Sequence, residues 1–282
     1  MNILTFDIEE WFHILDNSTT KTVNEWKDYE SRIKANLDKI LTLLQDHKVK
    51  ATFFILGWIA EKYPELVKLI DSLGYEIGSH SYFHQLAYEQ DEKQFRSDTE
   101  QSVKKLEDII GKKIKYYRIP GFSLTERTIW AFEALINLGI EIDSSVFPAE
   151  RGHGGYPEFS SISPCIIDFK GKILKEFPVN TIKLIGKNII FSGGGYFRLF
   201  PYKLIRNWSN KAPYIMTYFH PRDFDSEQPL IKNLSALRRF KSYYGLSKTY
   251  TKLEKWLNDF EFIDIGEADK LIDWSKSKYI KY

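Results

Sequence analysis

The chain has 282 residues, 43% of them apolar and 16% aromatic, which is enough to bury the core of one large domain and too apolar for a disordered segment. Its 40 basic and 38 acidic side chains leave a formal charge of +2, so there is no electrostatic case for nucleic acid as the main partner. The single cysteine, Cys165, excludes an intramolecular disulfide and any multi-cysteine zinc site; a metal would be held by His, Asp or Glu, and a reducing compartment suits this usage.

Along the chain, strand and helix periodicity alternate. The opening ILTFDI reads as a strand and lacks the basic flank and small-residue cleavage site of a signal peptide, so a cytoplasmic protein is expected. Next come the amphipathic helix SRIKANLDKILTLLQDH, the strand KATFFILG, the helix PELVKLIDSLG with a cap at Gly74, and the strand YEIGSH. EKQFRSDTEQSVKKLEDIIG is a third helix, IKYYRIP a strand, ERTIWAFEALINLG a fourth helix and IEIDSSVF a strand. Residues from about 150 to 200 are turn-rich, with short β-prone pieces such as CIIDF and EFPVNTIKLIG, and read as an insertion in the same domain. The alternation resumes with PYKLIRNWSN, the strand PYIMTYFH, the helices LIKNLSALRRFKSYYG and TYTKLEKWLNDF, and a final FEFIDIGEADKLI, giving a helical extension near 230–282. A single α/β domain over 1–282 is therefore expected. The longest apolar stretch, ATFFILGWIA, is about half of the roughly 20 residues that a membrane span needs. The last residues, DKLIDWSKSKYIKY, read as a solvated terminal helix, with weak membrane-surface contact as the alternative.

Four motifs fall at the C-terminal ends of expected strands, where α/β sheets and barrels place their active sites. In TFDIEEWF, strand alternation puts Asp7 and Glu9 on one face and Ile8 and Glu10 on the other. Two carboxylates so close imply a metal, a partner arginine or a raised pKa, unless the segment is simply an exposed acidic turn. In SHSYFH, the spacing of His80 and His84 suits one side of a helical turn, and the pair can grip a metal once a carboxylate such as Glu9 is available. In RIPGFS, Pro120 fixes the backbone, Gly121 permits a sharp turn, and Arg118 can clamp a carboxylate such as Asp7. His220 ends a strand before Pro221, a position suited to proton transfer or to a structural hydrogen bond. His13, His47 and His153 lack a partner at ligand spacing and read as surface or loop histidines. SGGGYFR lacks the spacing and lysine of a phosphate loop and reads as a substrate-side loop or a turn, and no G-x-S-x-G elbow is present. The inventory suffices for metal-assisted hydrolysis of an amide or ester.

From Asp7 to His220 the set resembles the NodB-type polysaccharide deacetylases, carbohydrate esterase family 4, in a subgroup with a D-x-E first motif tied to cell-surface polysaccharide biosynthesis. The resemblance implies a distorted (β/α) barrel. It also implies Asp7 as base, Arg118 as its partner, His220 as acid, and Glu9, His80 and His84 as ligands of one divalent ion, expected to be zinc, with Glu10 the lesser ligand. The substrate implied is an acetylated amino-sugar glycan or its precursor, whose N-acetyl group is hydrolysed. Trp11, Phe122 and Tyr196 either stack on sugar rings or pack the core, with Pro120 beside them. The family's fourth motif, whose Asp orients the acid histidine, has no clean counterpart, and Asp143 is the candidate for that role. A non-catalytic carbohydrate-binding module, or a hydrolase of a small cyclic amide or formamido sugar, are the alternatives.

Overall fold

The computed structural model describes residues 1–282 except Asp16, Ser18, His153 and Ile185. In chain order the first half contains β1 (Asn2–Ile3), β2 (Thr5–Ile8), α1 (Val23–Trp26), α2 (Ile33–Asp46), β3 (Thr52–Ile55), α3 (Gly57–Lys62), α4 (Pro64–Ser72), β4 (Glu76–Ser79), α5 (Glu92–Ile110), β5 (Tyr116–Tyr117), α6 (Trp130–Asn137) and β6 (Ile142–Asp143). The second half contains β7 (Cys165–Phe169), β8 (Lys172–Glu176), β9 (Ile182–Leu184), β10 (Lys187–Ile189), α7 (Gly194–Leu199), α8 (Tyr202–Lys211), β11 (Ile215–Met216), α9 (Ala236–Tyr243), α10 (Leu246–Asp259), α11 (Ile265–Leu271) and β12 (Lys278–Lys281).

Eight strands form one sheet in the order β12-β7-β8-β6-β5-β4-β3-β2, parallel except between β7 and β8. The wall continues past β2 through bridges from Phe6 to Phe219 and from Tyr218 to Gly193, while β1 pairs with β11. Side chains complete the circuit: Met216 N donates to Asn180 Oδ1 at 3.0 Å and the Tyr214 hydroxyl donates to Pro178 O at 2.8 Å. The result is the distorted (β/α) barrel expected from the sequence.

The strands at its centre read as unbroken apolar runs because both of their faces are covered, one by helices and one by the barrel interior. All four residues of β3, TFFI, are buried. On the outer face Phe6 stacks on Phe53 with ring centroids 5.3 Å apart, and α2 covers this layer with Leu37, Ile40, Leu41 and Leu44 at three- and four-residue spacing. Sequence signals set the ends of α5: an Asp91–Gln94 capping box opens it and Gly111, at φ 69°, closes it in the left-handed conformation.

Three expectations change. The turn-rich stretch is not set apart from the barrel, because β7 and β8 lie within the main sheet and only β9 and β10 form a separate hairpin. The terminal tail completes α11 at Leu271 and then ends in a strand, β12, which pairs in parallel with β7, in place of the solvated helix expected throughout. The helix expected from Leu230 begins only at α9, where Ser235 caps it by accepting from Arg238 N.

Candidate metal-centred active site

Alternation along β2 turns Thr5 and Asp7 into the barrel and Phe6 and Ile8 toward the helices. Arg118, fully buried, reaches them from the end of β5. Its Nη1 donates to Asp7 Oδ1 and to Thr5 Oγ1, each at 2.7 Å, while Nε and Nη2 donate to Ser144 O at 3.1 Å and Ser144 Oγ at 2.9 Å. With the Phe54 ring 4.2 Å beneath its Cζ, the guanidinium has no freedom to turn, so it fixes the direction of the Asp7 carboxylate. Asp7 Oδ2 remains on the cleft side, 3.8 Å from His220 Nε2.

His80 follows β4 directly. Its Nδ1 lies 2.8 Å from Arg118 O, and a carbonyl only accepts, so Nδ1 carries the proton and Nε2 presents a lone pair. Burial is the main cause that pushes this imidazole down to about 4, so the ring is neutral at pH 7. His84 meets it by a loop rather than by the helical turn expected: Ser81 and His84 adopt φ of 68° and 56°. His84 N donates to Ser81 Oγ at 3.0 Å, and Asp98 accepts from the backbone N–H groups of Tyr82 and Phe83. The ligand atoms of Glu9, His80 and His84, all buried, lie within 4.8 Å of one another. Glu9 Oε2 is 2.5 Å from His84 Nε2, an approach that needs a proton or a cation between the two atoms. Burial alone would raise the Glu9 carboxyl, but His84 and His220 outweigh it and hold it well below the usual range. An ionised carboxylate and two imidazoles, converging in a buried pocket, fit a divalent cation.

His220 opens the opposite wall. Asp223 Oδ2 accepts from His220 N and faces His220 Nδ1, both at 3.0 Å, and Arg198 Nε lies 3.1 Å from Asp223 Oδ1. The His220 Nε2 thereby points at the cluster, 3.8 Å from Glu9 Oε1 as well as from Asp7. Burial would lower this imidazole, but the carboxylates of Glu9, Asp223 and Asp7 outweigh it and leave it raised.

The structure thus brings Asp7, Glu9, His80, His84, Arg118 and His220 together and corrects other assignments. Asp223, not Asp143, holds His220. Asp143 lies in the barrel beside Glu176, whose carboxyl is pushed well above the usual range by burial and by Asp143 itself. Glu10 is no ligand: it caps α2, accepting from Ser31 Oγ, from Arg32 N at 3.1 Å and from Ile33 N at 3.3 Å. His13 is not a surface histidine but a buried ring, 5.9 Å from the His84 ring and 4.1 Å from that of Trp26, on the cleft wall. Burial, with His84 second, pushes it well below its usual value. His47 is the C-cap residue that follows α2, and His153 lies outside the described residues. Trp11 does not line the cleft; its Nε1 donates to Glu30 O at 2.9 Å and its ring packs edge-on against Tyr29 in a side core. Pro120 is also buried away from the cleft and opens the turn that places Phe122 in its floor, where the ring meets Tyr218 at 5.0 Å. Tyr196 stands exposed on the rim. The cleft between these walls holds about 300 Å³. The glycines before Tyr196 serve close approach: a Cβ on Gly193 would come within 2.2 Å of Tyr218 O.

Residues 4–140 match the family profile described as polysaccharide deacetylase, and residues 144–270 match a domain of unknown function, DUF3473. The deacetylase profile thus matches just under half of the chain, its N-terminal part. A peptidoglycan-N-acetylglucosamine deacetylase of Bacillus cereus is 38% identical over 96 residues, 34% of this chain and 35% of that protein. The chain spans about a third of the length of the curated relatives it matches. Among solved structures, a putative polysaccharide deacetylase from Mycobacterium smegmatis superposes with a TM-score of 0.68 at 19% identity, covering 99% of this chain and 91% of that one. A mutant of a CE4 family pseudoenzyme with restored activity aligns at 0.50 and 15% identity over 99% of this chain and 69% of its own. At these identities the structures share the fold of the chain, and the deacetylase fold occurs without activity as well as with it.

Proposed function

We propose that the chain hydrolyses N-acetyl groups of amino sugars in a polysaccharide or its precursor. The observation that carries this reading is the pairing of Asp7 and His220 across the Glu9, His80 and His84 cluster, with His220 Nε2 3.8 Å from Asp7 Oδ2 and from Glu9 Oε1. The match of residues 4–140 to the polysaccharide deacetylase profile supports the substrate class. A divalent cation, zinc for this donor set, held by Glu9, His80 and His84 would polarise the acyl oxygen and acidify a water. Asp7, aimed by Arg118, takes a proton from the attacking water as its oxygen bonds to the acyl carbon. The carbon–nitrogen bond then breaks, and His220 Nε2 gives its proton to the departing amine, leaving acetate and a free amino sugar. Asp223 fixes Nδ1, so the proton leaves from the nitrogen that faces the cleft. Phe122 and Tyr218 form an aromatic floor on which a sugar ring can rest.

Acetate released from a panel of N-acetylated glycans by the zinc-loaded chain tests the reading. Release from at least one glycan is expected. None from any member, with one metal bound per chain, would make this a carbohydrate-binding module on a deacetylase scaffold.

A further inference from the structure

Charge is segregated in one segment. Between Glu227 and Glu254 the chain carries six cations (Lys232, Arg238, Arg239, Lys241, Lys248 and Lys252) and no Asp or Glu, against a net charge of +2 for the whole chain. Lys232, Arg239, Lys241 and Lys248 are exposed, and among the described residues none of these four forms an ion pair. In the same segment α9 is inverted. Its one buried residue is Ser242, while Leu237 at 64%, Phe240 at 48% and Tyr244 at 48% exposure follow one another at three- and four-residue spacing on the solvent side. Polar contacts fasten the helix instead of apolar burial. Arg198 donates to the carbonyls of Ser242, Lys241 and Tyr244, and Arg238 Nη2 donates to Leu15 O at 3.1 Å. Phe240 and Tyr244 pack ring to ring at 4.8 Å and, with Leu199 of α7, form one lip of the catalytic cleft.

An apolar stripe flanked only by cations has the composition of an element that lies in a membrane interface, with side chains among the acyl chains and ammonium and guanidinium groups at the phosphates. We infer that α9 and the lip of the cleft dock on an anionic phospholipid surface, which places the cleft mouth at the membrane and presents it to glycan held there. No described helix is long and apolar enough to cross a membrane.

The inference is tested without reference to catalysis. The purified full chain is floated with vesicles of phosphatidylcholine alone and with vesicles in which about a third of the lipid is phosphatidylglycerol. Binding is expected to the anionic vesicles and to weaken with salt. Arg239→Gln with Lys241→Gln should lower it about 25-fold, about fivefold for each charge removed from the interface. Leu237→Ser with Phe240→Ser should lower it at least about tenfold while the melting temperature is kept, since these side chains are exposed in the folded chain. Equal binding to both vesicle types, or binding untouched by both double variants, overturns the inference. So does absence of vesicle binding accompanied by dimerisation in sedimentation velocity that Phe240→Ser abolishes, which would give the stripe to a second copy. Failure of acetate release with vesicle binding intact would remove the proposed reaction and leave this surface standing.

Discussion

At the scale of single residues the site divides its labour by which atoms each side chain keeps free. Arg118 occupies Asp7 Oδ1 and leaves Oδ2; Arg118 O occupies His80 Nδ1 and leaves Nε2; Asp223 occupies His220 Nδ1 and leaves Nε2. If His220 is the acid, His220→Ala should slow amide cleavage roughly a hundredfold or more while an activated ester, whose leaving group needs no proton, loses much less. Equal losses on both substrates would reduce His220 to a positioning role. Asp223 raises the His220 imidazole together with Glu9 and Asp7, and the protonated form is lost as pH rises through that raised value. Asp223→Asn should therefore move the descending limb of the pH–rate profile to lower pH, and an unmoved limb would detach that limb from His220. Most of these residues were legible because their motifs sit at strand ends. Asp223 was also within reach: in His220-Pro221-Arg222-Asp223 the proline opens a helical turn, and a carboxylate three residues on returns to the first residue as in a capping box. His13 was not, since its burial depends on Trp26 and Trp58, remote in sequence and brought against it only by the fold.

At the scale of elements, α2 shows how the helical layer is tied to the site. Its N-terminus is capped by Glu10, the neighbour of Glu9, and its first turn is clasped to the segment after His220, where Arg32 Nε and Nη2 donate to Asp225 at 2.5 and 3.0 Å and Asn36 Nδ2 donates to the same carboxylate at 3.0 Å. Both walls of the cleft therefore lean on one helix. Burial would raise the Asp225 carboxyl, but Arg32 and Asn36 outweigh it and hold it below the usual range. A carboxylate whose folded value is depressed contributes stability that is present above the unfolded value, about pH 4, and is lost as pH falls through the folded one. Asp225→Asn should destabilise by about 1 to 2 kcal/mol at pH 7, with Arg32 partly exposed and screened, and the gap in melting temperature should close below about pH 4. A gap that persists unchanged at pH 3 would show that shape, not charge, is what Asp225 supplies. Helix positions were legible from three- and four-residue apolar spacing, whereas the late start of α9 was not, because Leu230, Ile231 and Leu234 imitate a helical face before the Ser235 cap.

At the scale of the whole molecule, the barrel unites the two halves of the chain, so the proposed catalytic set draws on residues beyond 4–140. The N-terminal half supplies Asp7, Glu9, His80, His84 and Arg118; the second half supplies His220 with Asp223 and Arg198. The alternation of strands and helices made the α/β class legible, but the place of β7 and β8 in the main sheet was hidden. Their pairing with β12 and β6 is set by contacts distant in sequence, and turn-rich flanks resemble those of an insertion. Metal content follows from the same convergence: elemental analysis is expected to find one equivalent of zinc per chain, His80→Ala with His84→Ala should abolish it, and stoichiometric metal in that variant would move the site elsewhere. The central claim is that Asp7 acts as the base beside the metal and not as one of its ligands. Acetate turnover by Asp7→Asn, assayed on the protein loaded with one equivalent of zinc, tests it most directly. The account predicts a chain that keeps its zinc and loses turnover by at least about a hundredfold, the scale of a missing general base. Turnover restored by excess zinc would contradict it, because Asp7 would then be holding the metal.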